Sequence, residues 1–371
     1  MSGRGHLKKA CGALCAAQAV EKARRRRAFP TRVAPFAYSL RSPGGERRKE
    51  TLLRKASETG VHAAGFGIRL GGLRPSEPPR GLLTALCGAL CAAIVFWVCG
   101  AADAQVYLGG DAPREDWYRR PLFRLTAFAA GQSDCLLMQC GGESMMLDGG
   151  SAPYREKLRD AIAARGITRF KYLLNSHFHQ DHISGLYWLM RYGFQADEYL
   201  HPYGDYAMNI SQRQRETIQQ AQRSGVPARQ VFHGDELMLG EAVLTLYRYD
   251  EGIGTNGRSL VTRVQFGGAS LLLTGDITGN TQNWMVKNLP GEALDADILK
   301  APHHAITPMA LPFLEAVSPE AALITSDYDR VDRGRVQLEA RGISAFYSGE
   351  GTVVFETDGD DWYIYQTEGA F

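Results

Sequence analysis

From about residue 118 onward, apolar and polar positions alternate in short runs broken by glycine-containing turns. Runs at 122–128, 134–140, 144–147, 170–174, 243–249, 259–266, 270–274, 298–300, 322–325 and 352–356 predict strands, with a last one at 362–366. A shorter run at Glu236-Leu237-Met238-Leu239-Gly240 predicts another. Helical spacing predicts helices at 155–165, 183–191, 211–224, 281–288 and 309–317. The second carries Ile183, Leu186, Leu189 and Met190 as its apolar positions, and the last follows Thr307-Pro308. The 211–224 segment is almost wholly polar and predicts an exposed helix, a candidate cap for a site. Strands and helices in two halves predict an α/β (α+β) fold, an αββα four-layer sandwich of two sheets covered by helices.

The first hundred residues break this pattern. Residues 81–102 form an apolar run without a charge, preceded by Arg69, Arg74 and Arg80. It is about as long as a minimal membrane span. Ala102-Asp103-Ala104 has small residues where a signal peptidase would cut before Gln105. The segment 81–104 is therefore expected to be a signal peptide or a single membrane anchor. A buried core helix is the weaker reading, because the run is apolar on all sides and basic on one flank only. Either membrane reading makes the following domain extracytoplasmic: secreted or periplasmic, or anchored by one segment. Residues 1–80 are rich in Arg, Gly, Pro and Ala, include Arg24-Arg25-Arg26-Arg27, and show little periodicity. They predict a disordered basic leader. So long a stretch before a signal peptide core is abnormal, so the native start is expected further along. A nucleic-acid-binding arm is the alternative. The heptapeptide Cys-Gly-Ala-Leu-Cys-Ala-Ala stands at 11–17 and 87–93; two copies are too few for a repeat fold.

The overall charge of +2 hides a division. Residues 1–104 carry 18 Lys and Arg against 6 Asp and Glu, and the remainder 24 against 34. An acidic domain gives no strong nucleic-acid signal, since non-specific binding relies on basic surface. Five of the seven cysteines lie in the leader region, leaving Cys135 and Cys140. A disulfide between them is disfavoured on one strand, because positions five apart face opposite sides.

The chemistry concentrates between the strand at 170–174 and the helix at 183–191, in Asn175-Ser176-His177-Phe178-His179-Gln180-Asp181-His182. Three of the nine histidines fall within six positions. That is too many costly polar groups for an ordinary helix face or strand. It predicts a loop folded around metal, since imidazole and carboxylate suit zinc and neighbouring first-row metals. His177 and His179 can turn towards one ion, Asp181 and His182 towards a second. The loop follows the C-terminal end of a strand, the edge where α/β folds gather active sites.

Strand, His-x-His-x-Asp-His, helix resembles the signature of the metallo-β-lactamase fold superfamily. The family's other motifs have counterparts in order: Met145-Met146-Leu147-Asp148-Gly149-Gly150, Leu272-Leu273-Thr274-Gly275-Asp276, and Lys300-Ala301-Pro302-His303-His304. The domain is expected over 118–371. Gly131-Gln132-Ser133-Asp134-Cys135, Asn256-Gly257-Arg258-Ser259-Leu260-Val261 and the Pro-His-His motif resemble the ComEC competence-protein type, in its hydrolase domain only.

The resemblance implies a dinuclear metal hydrolase. His177 and His179 would bind the first metal, Asp181, His182 and one of His303 or His304 the second, and Asp276 would bridge. Zinc is expected at both sites, manganese being the alternative. Water between two such ions is acidic enough to serve as hydroxide near neutral pH. The histidine of the pair that is not a ligand would contact the oxyanion or protonate the leaving group. Asp181, His303 and His304 are thus the candidate catalytic residues. Only one of the pair is expected to ligate, since successive residues on a strand face opposite ways. Asp148 is expected to orient the histidine loop, with a turn-forming Asp-Gly pair nearly as good a reading. Ser133 and Asp134 either sit beside it or form a simple turn. Lys300 is a candidate for meeting an anionic substrate, a surface lysine being the commoner case. His201 is a candidate support residue at a strand end.

Two departures from the family matter. Where it often has a third histidine for the first metal, this chain has Tyr249-Asp250-Glu251-Gly252 and then Asn256. That metal would be held by Asn256, Asp250 or water, or be absent. Ala305-Ile306 stands where the ComEC type carries Gly-Ser. The expected function is hydrolysis of a phosphodiester-like or other small-molecule substrate outside the cytoplasm. The alternatives are a carbonyl ester, lactone or β-lactam hydrolase, and a non-catalytic metal-binding module.

Overall fold

Alternate residues of the central strands face different layers, and this builds the architecture. In the computed structural model, residues 106–108, 116–204, 211–330, 332–368 and 371 are described. The expected leader at 1–80 and the segment 81–104 lie outside the described residues. Among the described residues, no helix is long and apolar enough to cross a membrane.

The strands are β1 (Val106–Leu108), β2 (Phe123–Ala127), β3 (Cys135–Cys140), β4 (Glu143–Gly149), β5 (Arg169–Leu174), β6 (Gln195–His201), β7 (Ala228–Gln230) and β8 (Glu236–Leu239). They continue with β9 (Ala242–Tyr247), β10 (Val261–Phe266), β11 (Ala269–Leu273), β12 (Ile298–Lys300), β13 (Ala321–Ile324), β14 (Ser344–Tyr347), β15 (Gly351–Thr357) and β16 (Trp362–Glu368). One sheet has the order β1-β16-β15-β2-β3-β4-β5-β6-β7, the other β14-β13-β12-β11-β10-β9-β8. The principal helices are α1 (Arg155–Ala164), α2 (Gln180–Arg191), α3 (Gln212–Arg223), α4 (Gly279–Asn288), α5 (Leu311–Val317) and α6 (Asp332–Glu339).

Leu136 and Met138 of β3 point into the core between the sheets, where they join Leu125, Met145, Leu244 and Leu271. Leu137 and Met146 point the other way, onto Leu158 and Ile162 of α1 and Leu186 and Leu189 of α2. On the second sheet, Leu272, Leu299 and Ala322 meet Met285, Phe313, Leu314 and Leu338 of α4, α5 and α6. The result is the four-layer αββα sandwich that the alternation predicts. Cys135 belongs to the outer layer and Cys140 to the inter-sheet core. Both thiols are free, as their opposite facing requires.

Two helices differ from expectation. α2 begins at Gln180, three residues before the apolar spacing predicts, so Asp181 and His182 lie in its first turn. An acidic residue there is favoured by the helix dipole. His179 has extended backbone angles and caps the helix. α3 is not an exposed rod. Gln214, Thr217, Gln220 and Ala221 are buried where it packs on α2. Thr217 and Ala221, four apart, give it a narrow small-residue face, and the Thr217 hydroxyl donates within the helix to Arg213 O.

α2 rests on the end of β4 through two glycines. Gly185 N donates to Gly150 O at 3.1 Å. A Cβ on Gly185 would lie 1.8 Å from Gly149 O, and one on Gly149 2.4 Å from Leu186 N. Gly185→Ala should therefore cost about 3 kcal/mol by forcing helix and strand apart. Denaturant unfolding checks this, and an unchanged midpoint would show that the contact is not kept.

Candidate metal centre

The parallel strands of both sheets deliver their C-terminal ends to one edge. β4 ends near Asp148, and β5 feeds the loop 175–179 and the first turn of α2. From the other sheet, β11 leads to Asp276, β12 to His303 and His304, and β13 to Thr325. Leu260 N donates to Ser176 O and ties the two sets of loops together, while His303 N donates to Gly275 O within the second set. Gly275 has φ 50°, and a Cβ there would lie 3.1 Å from the Ser259 side chain and 3.3 Å from that of Ser176. Its missing side chain lets the loops close.

Asp276 is the hub. Its Oδ2 lies 3.3 Å from His182 Nε2, 3.6 Å from His177 Nε2, 3.6 Å from His304 Nε2 and 3.9 Å from His303 Nε2. Asp181 Oδ2 is 3.5 Å from His304 Nε2 and 3.9 Å from His182 Nε2. Two groups of potential ligands share Asp276: His177, His179 and Asp276, and Asp181, His182, Asp276 and His304, with ligand atoms in each within 4.8 Å of one another. The Nε2 atoms of His177, His182 and His304 and Oδ1 of Asp276 are buried and make no hydrogen bond. Buried polar atoms are normally bonded. Imidazole and carboxylate atoms left open around one point fit metal ions of the zinc type. Asp134, Asp148 and His182 form a third such group. There, however, His182 Nδ1 lies 2.8 Å from Asp148 Oδ2, as in a direct hydrogen bond.

The other ring nitrogens explain why the Nε2 atoms face inward. Asp148 Oδ2 also accepts from Ser176 Oγ at 2.5 Å, and its Oδ1 accepts from Asn175 Nδ2 at 2.9 Å and Ser176 N at 2.7 Å. His182 Nδ1–H donates to Asp148, leaving the Nε2 lone pair for the site. Ser176 Oγ, having given its proton to Asp148, accepts from His177 Nδ1 at 3.0 Å. Such partners fix tautomer and ring orientation. Asp148 thus holds the histidine loop through four bonds, at φ 55°, rather than serving as a turn residue alone.

Charge and burial work against each other here. Burial disfavours the Asp276 carboxylate, but His182, His304 and His177 hold its pKa well below the usual range. Burial also disfavours a proton on His182, yet Asp276, Asp134 and Asp148 raise its pKa well above the ordinary histidine value. His304 is raised in the same way, against burial, by Asp276 and its other carboxylate neighbours. Burial, then His182, push His177 down.

Several expected positions are corrected. His303 and His304 do not alternate across a strand. They occupy a left-handed turn with φ 49° and 54°, followed by Ala305 at φ 60°. That backbone brings both rings to Asp276, though only His304 falls within a ligand group. Three successive non-glycine residues there are strained by roughly 1–2 kcal/mol each. Gly334 of α6 makes room for the turn, since a Cβ on it would lie 2.2 Å from Ala305 O. Lys300 is neither a surface lysine nor open to substrate. It is fully buried, with Nζ 2.7 Å from Asp134 Oδ2 and donating to Gly275 O at 2.9 Å. Asn256 Nδ2 lies 3.2 Å from His303 Nε2, so its side chain meets that histidine. Asp250 is 74% exposed and pairs with Arg248. His201 ends β6 with its ring beside Tyr199 and is in neither shared ligand group. Asp134 is buried in the site rather than in a simple turn. Thr325, which no motif singles out, lies 2.9 Å from His304 Nδ1 through its hydroxyl and donates to Asp134 Oδ1 at 2.6 Å.

A sequence model of the metallo-beta-lactamase superfamily matches residues 129–324, more than half of the chain. Competence protein ComA of Neisseria gonorrhoeae is 29% identical over 205 residues, covering 55% of this chain and 27% of that protein. ComE operon protein 3 of Bacillus subtilis is 27% identical over 212 residues, covering 53% and 26%. The chain spans about a quarter of the length of these relatives. The metallo-beta-lactamase fold protein YhfI from Bacillus subtilis aligns with a TM-score of 0.44 at 15% identity, over 64% of this chain and 100% of that one.

Metal loading should release protons. Carboxylate neighbours raise the pKa of His182 and His304, so a proton competes with metal for the Nε2 lone pairs. Apparent zinc affinity should therefore fall steadily as pH is lowered from about 8 to about 6. Calorimetry in buffers of different ionisation enthalpy reads both quantities. Equal affinity across that range with no proton release would contradict the charge assignment.

Proposed function

The chain belongs to the metallo-beta-lactamase superfamily, and from that premise we propose that it is a two-metal hydrolase acting on a phosphodiester-like substrate outside the cytoplasm. The observation that carries the reading is the pair of ligand groups sharing Asp276. His177, His179 and Asp276 would hold one ion, and Asp181, His182, Asp276 and His304 the other, zinc or manganese. Bound there, such ions would supply Lewis acidity and make a water nucleophile more acidic.

The protein's own residues do the rest. Asp276, a member of both ligand groups, would contribute to holding either ion. Burial opposes ionisation of Asp181, but hydrogen bonding to His304 and the nearby His182 keep its carboxyl at about 2. Its side chain is 35% exposed, so a permanent carboxylate faces the open side and can accept a hydrogen bond from the attacking water. His303 is 32% exposed and is the histidine of the pair left for the substrate. Burial, against the pull of Asp276, lowers its pKa, so it is a neutral ring near neutral pH. Oriented by Asn256, it can donate a hydrogen bond from its one N–H to the leaving oxygen.

The phosphodiester class rests on the resemblance to the ComEC type, and the location on the expected signal or anchor at 81–104. A second reading, a carbonyl ester or lactone, is favoured by Lys300, whose buried pairing with Asp134 removes a cation that an anionic substrate could use.

The test is turnover of bis(p-nitrophenyl) phosphate, a lactone and a cephalosporin by the full chain, with zinc or manganese and with chelator. Chelator-sensitive phosphodiester cleavage supports the first reading, and lactone cleavage alone the second. No turnover with two metals bound would make the protein a binding module. His179→Ala and Asp276→Ala should abolish turnover. His303→Gln should lower kcat by about 100-fold with metal content unchanged; a wild-type rate would remove His303 from the chemistry.

A further inference from the structure

We propose that Thr325 is a positioning residue for the second metal site, fixing which nitrogen of His304 faces the ion. The inference rests on the two-metal reading. Thr325 Oγ1 donates its one proton to Asp134 Oδ1 at 2.6 Å. Towards His304 Nδ1, 2.9 Å away, it can then only accept. Nδ1 carries the ring proton, and Nε2 keeps its lone pair, 3.6 Å from Asp276 Oδ2 and 3.5 Å from Asp181 Oδ2.

The direction of this relay is set at Asp134. Its second oxygen lies 2.7 Å from Lys300 Nζ, on a side chain with 0% exposure. A carboxylate paired with a buried ammonium accepts and has no proton to give. The reverse arrangement, with a carboxylic acid donating to Thr325 and Thr325 donating to His304, is therefore excluded. Asp134, Thr325 and His304 are each 1% exposed, so water does not compete for these bonds.

The same device appears on the other sheet. Ser176 donates to Asp148 and accepts from His177 Nδ1. Each sheet thus sets one metal-facing histidine through a hydroxyl placed between imidazole and carboxylate. Thr325 follows β13 while Asp134 precedes β3, so the second relay also joins the two sheets at the site.

Thr325→Val keeps the side-chain shape and removes the hydroxyl; Thr325→Ser keeps the hydroxyl. Zinc binding to the full chain, read by calorimetry and equilibrium dialysis, should show Thr325→Val weaker by about 10–100-fold for one of two zinc equivalents. The Thr325→Ser protein should bind both nearly as the wild type does. In the zinc-loaded wild type, long-range proton–nitrogen NMR should find His304 protonated at Nδ1. Wild-type affinity in Thr325→Val, or a His304 that binds zinc through Nδ1, overturns the proposal. If Thr325→Val does not fold, the Thr325→Ser affinity and the wild-type spectrum decide it. Zinc stoichiometry of the wild type tests the two-metal reading separately.

Discussion

A buried carboxylate ringed by imidazole nitrogens, which needs a cation or proton between them, is the constraint on which the site depends. Asp276 is 1% exposed, and four histidine Nε2 atoms lie within 3.9 Å of its Oδ2. Such a group is costly to bury unless opposite charge and hydrogen bonds compensate it. The carboxylates around His182 and His304 raise the pKa of both rings, so a proton or a metal ion at their Nε2 atoms can supply that compensation. Everything around Asp276 serves to hold lone pairs inward: Asp148 behind His177 and His182, Asp134 behind His304, and Lys300 behind Asp134.

The fold accounts for why these groups meet. The parallel strands of both sheets end at one edge, so loops far apart in sequence converge there. Close backbone contacts then set the fine geometry. Gly185 seats α2 on β4, Gly275 lets the loops of the two sheets touch, and Gly334 admits the left-handed turn at 303–305. That turn holds Ala305 at φ 60°, and a strained backbone brings both histidines of the pair to the same edge. Strain of this kind gathers at functional sites, where the surrounding packing enforces it.

Much of this was legible in the sequence, for physical reasons. Period-two alternation marks which strand residues face which layer, as Leu136, Leu137 and Met138 do. The density of histidine and aspartate at 177–182 marks the metal loop, and the Asp276 and His303–His304 motifs mark its partners. The remainder depends on three-dimensional context. Apolar spacing could not show that α2 starts at Gln180, because the residues of its first turn are polar. Strand logic misjudged His303 and His304, since nothing in their residue types announces a left-handed turn. The burial of Lys300 depends on Asp134, which comes from a different sheet. Thr325 carries no motif; only its place at the end of β13 brings its hydroxyl to His304.

The central claim is that Asp276 joins two adjacent ions. Anomalous diffraction at the zinc edge from a crystal of the zinc-loaded protein tests it directly. The account predicts two peaks roughly 3.5–4 Å apart, flanking Asp276, one beside His177 and His179 and the other beside Asp181, His182 and His304. A single peak, or two peaks of which neither adjoins Asp276, would contradict it.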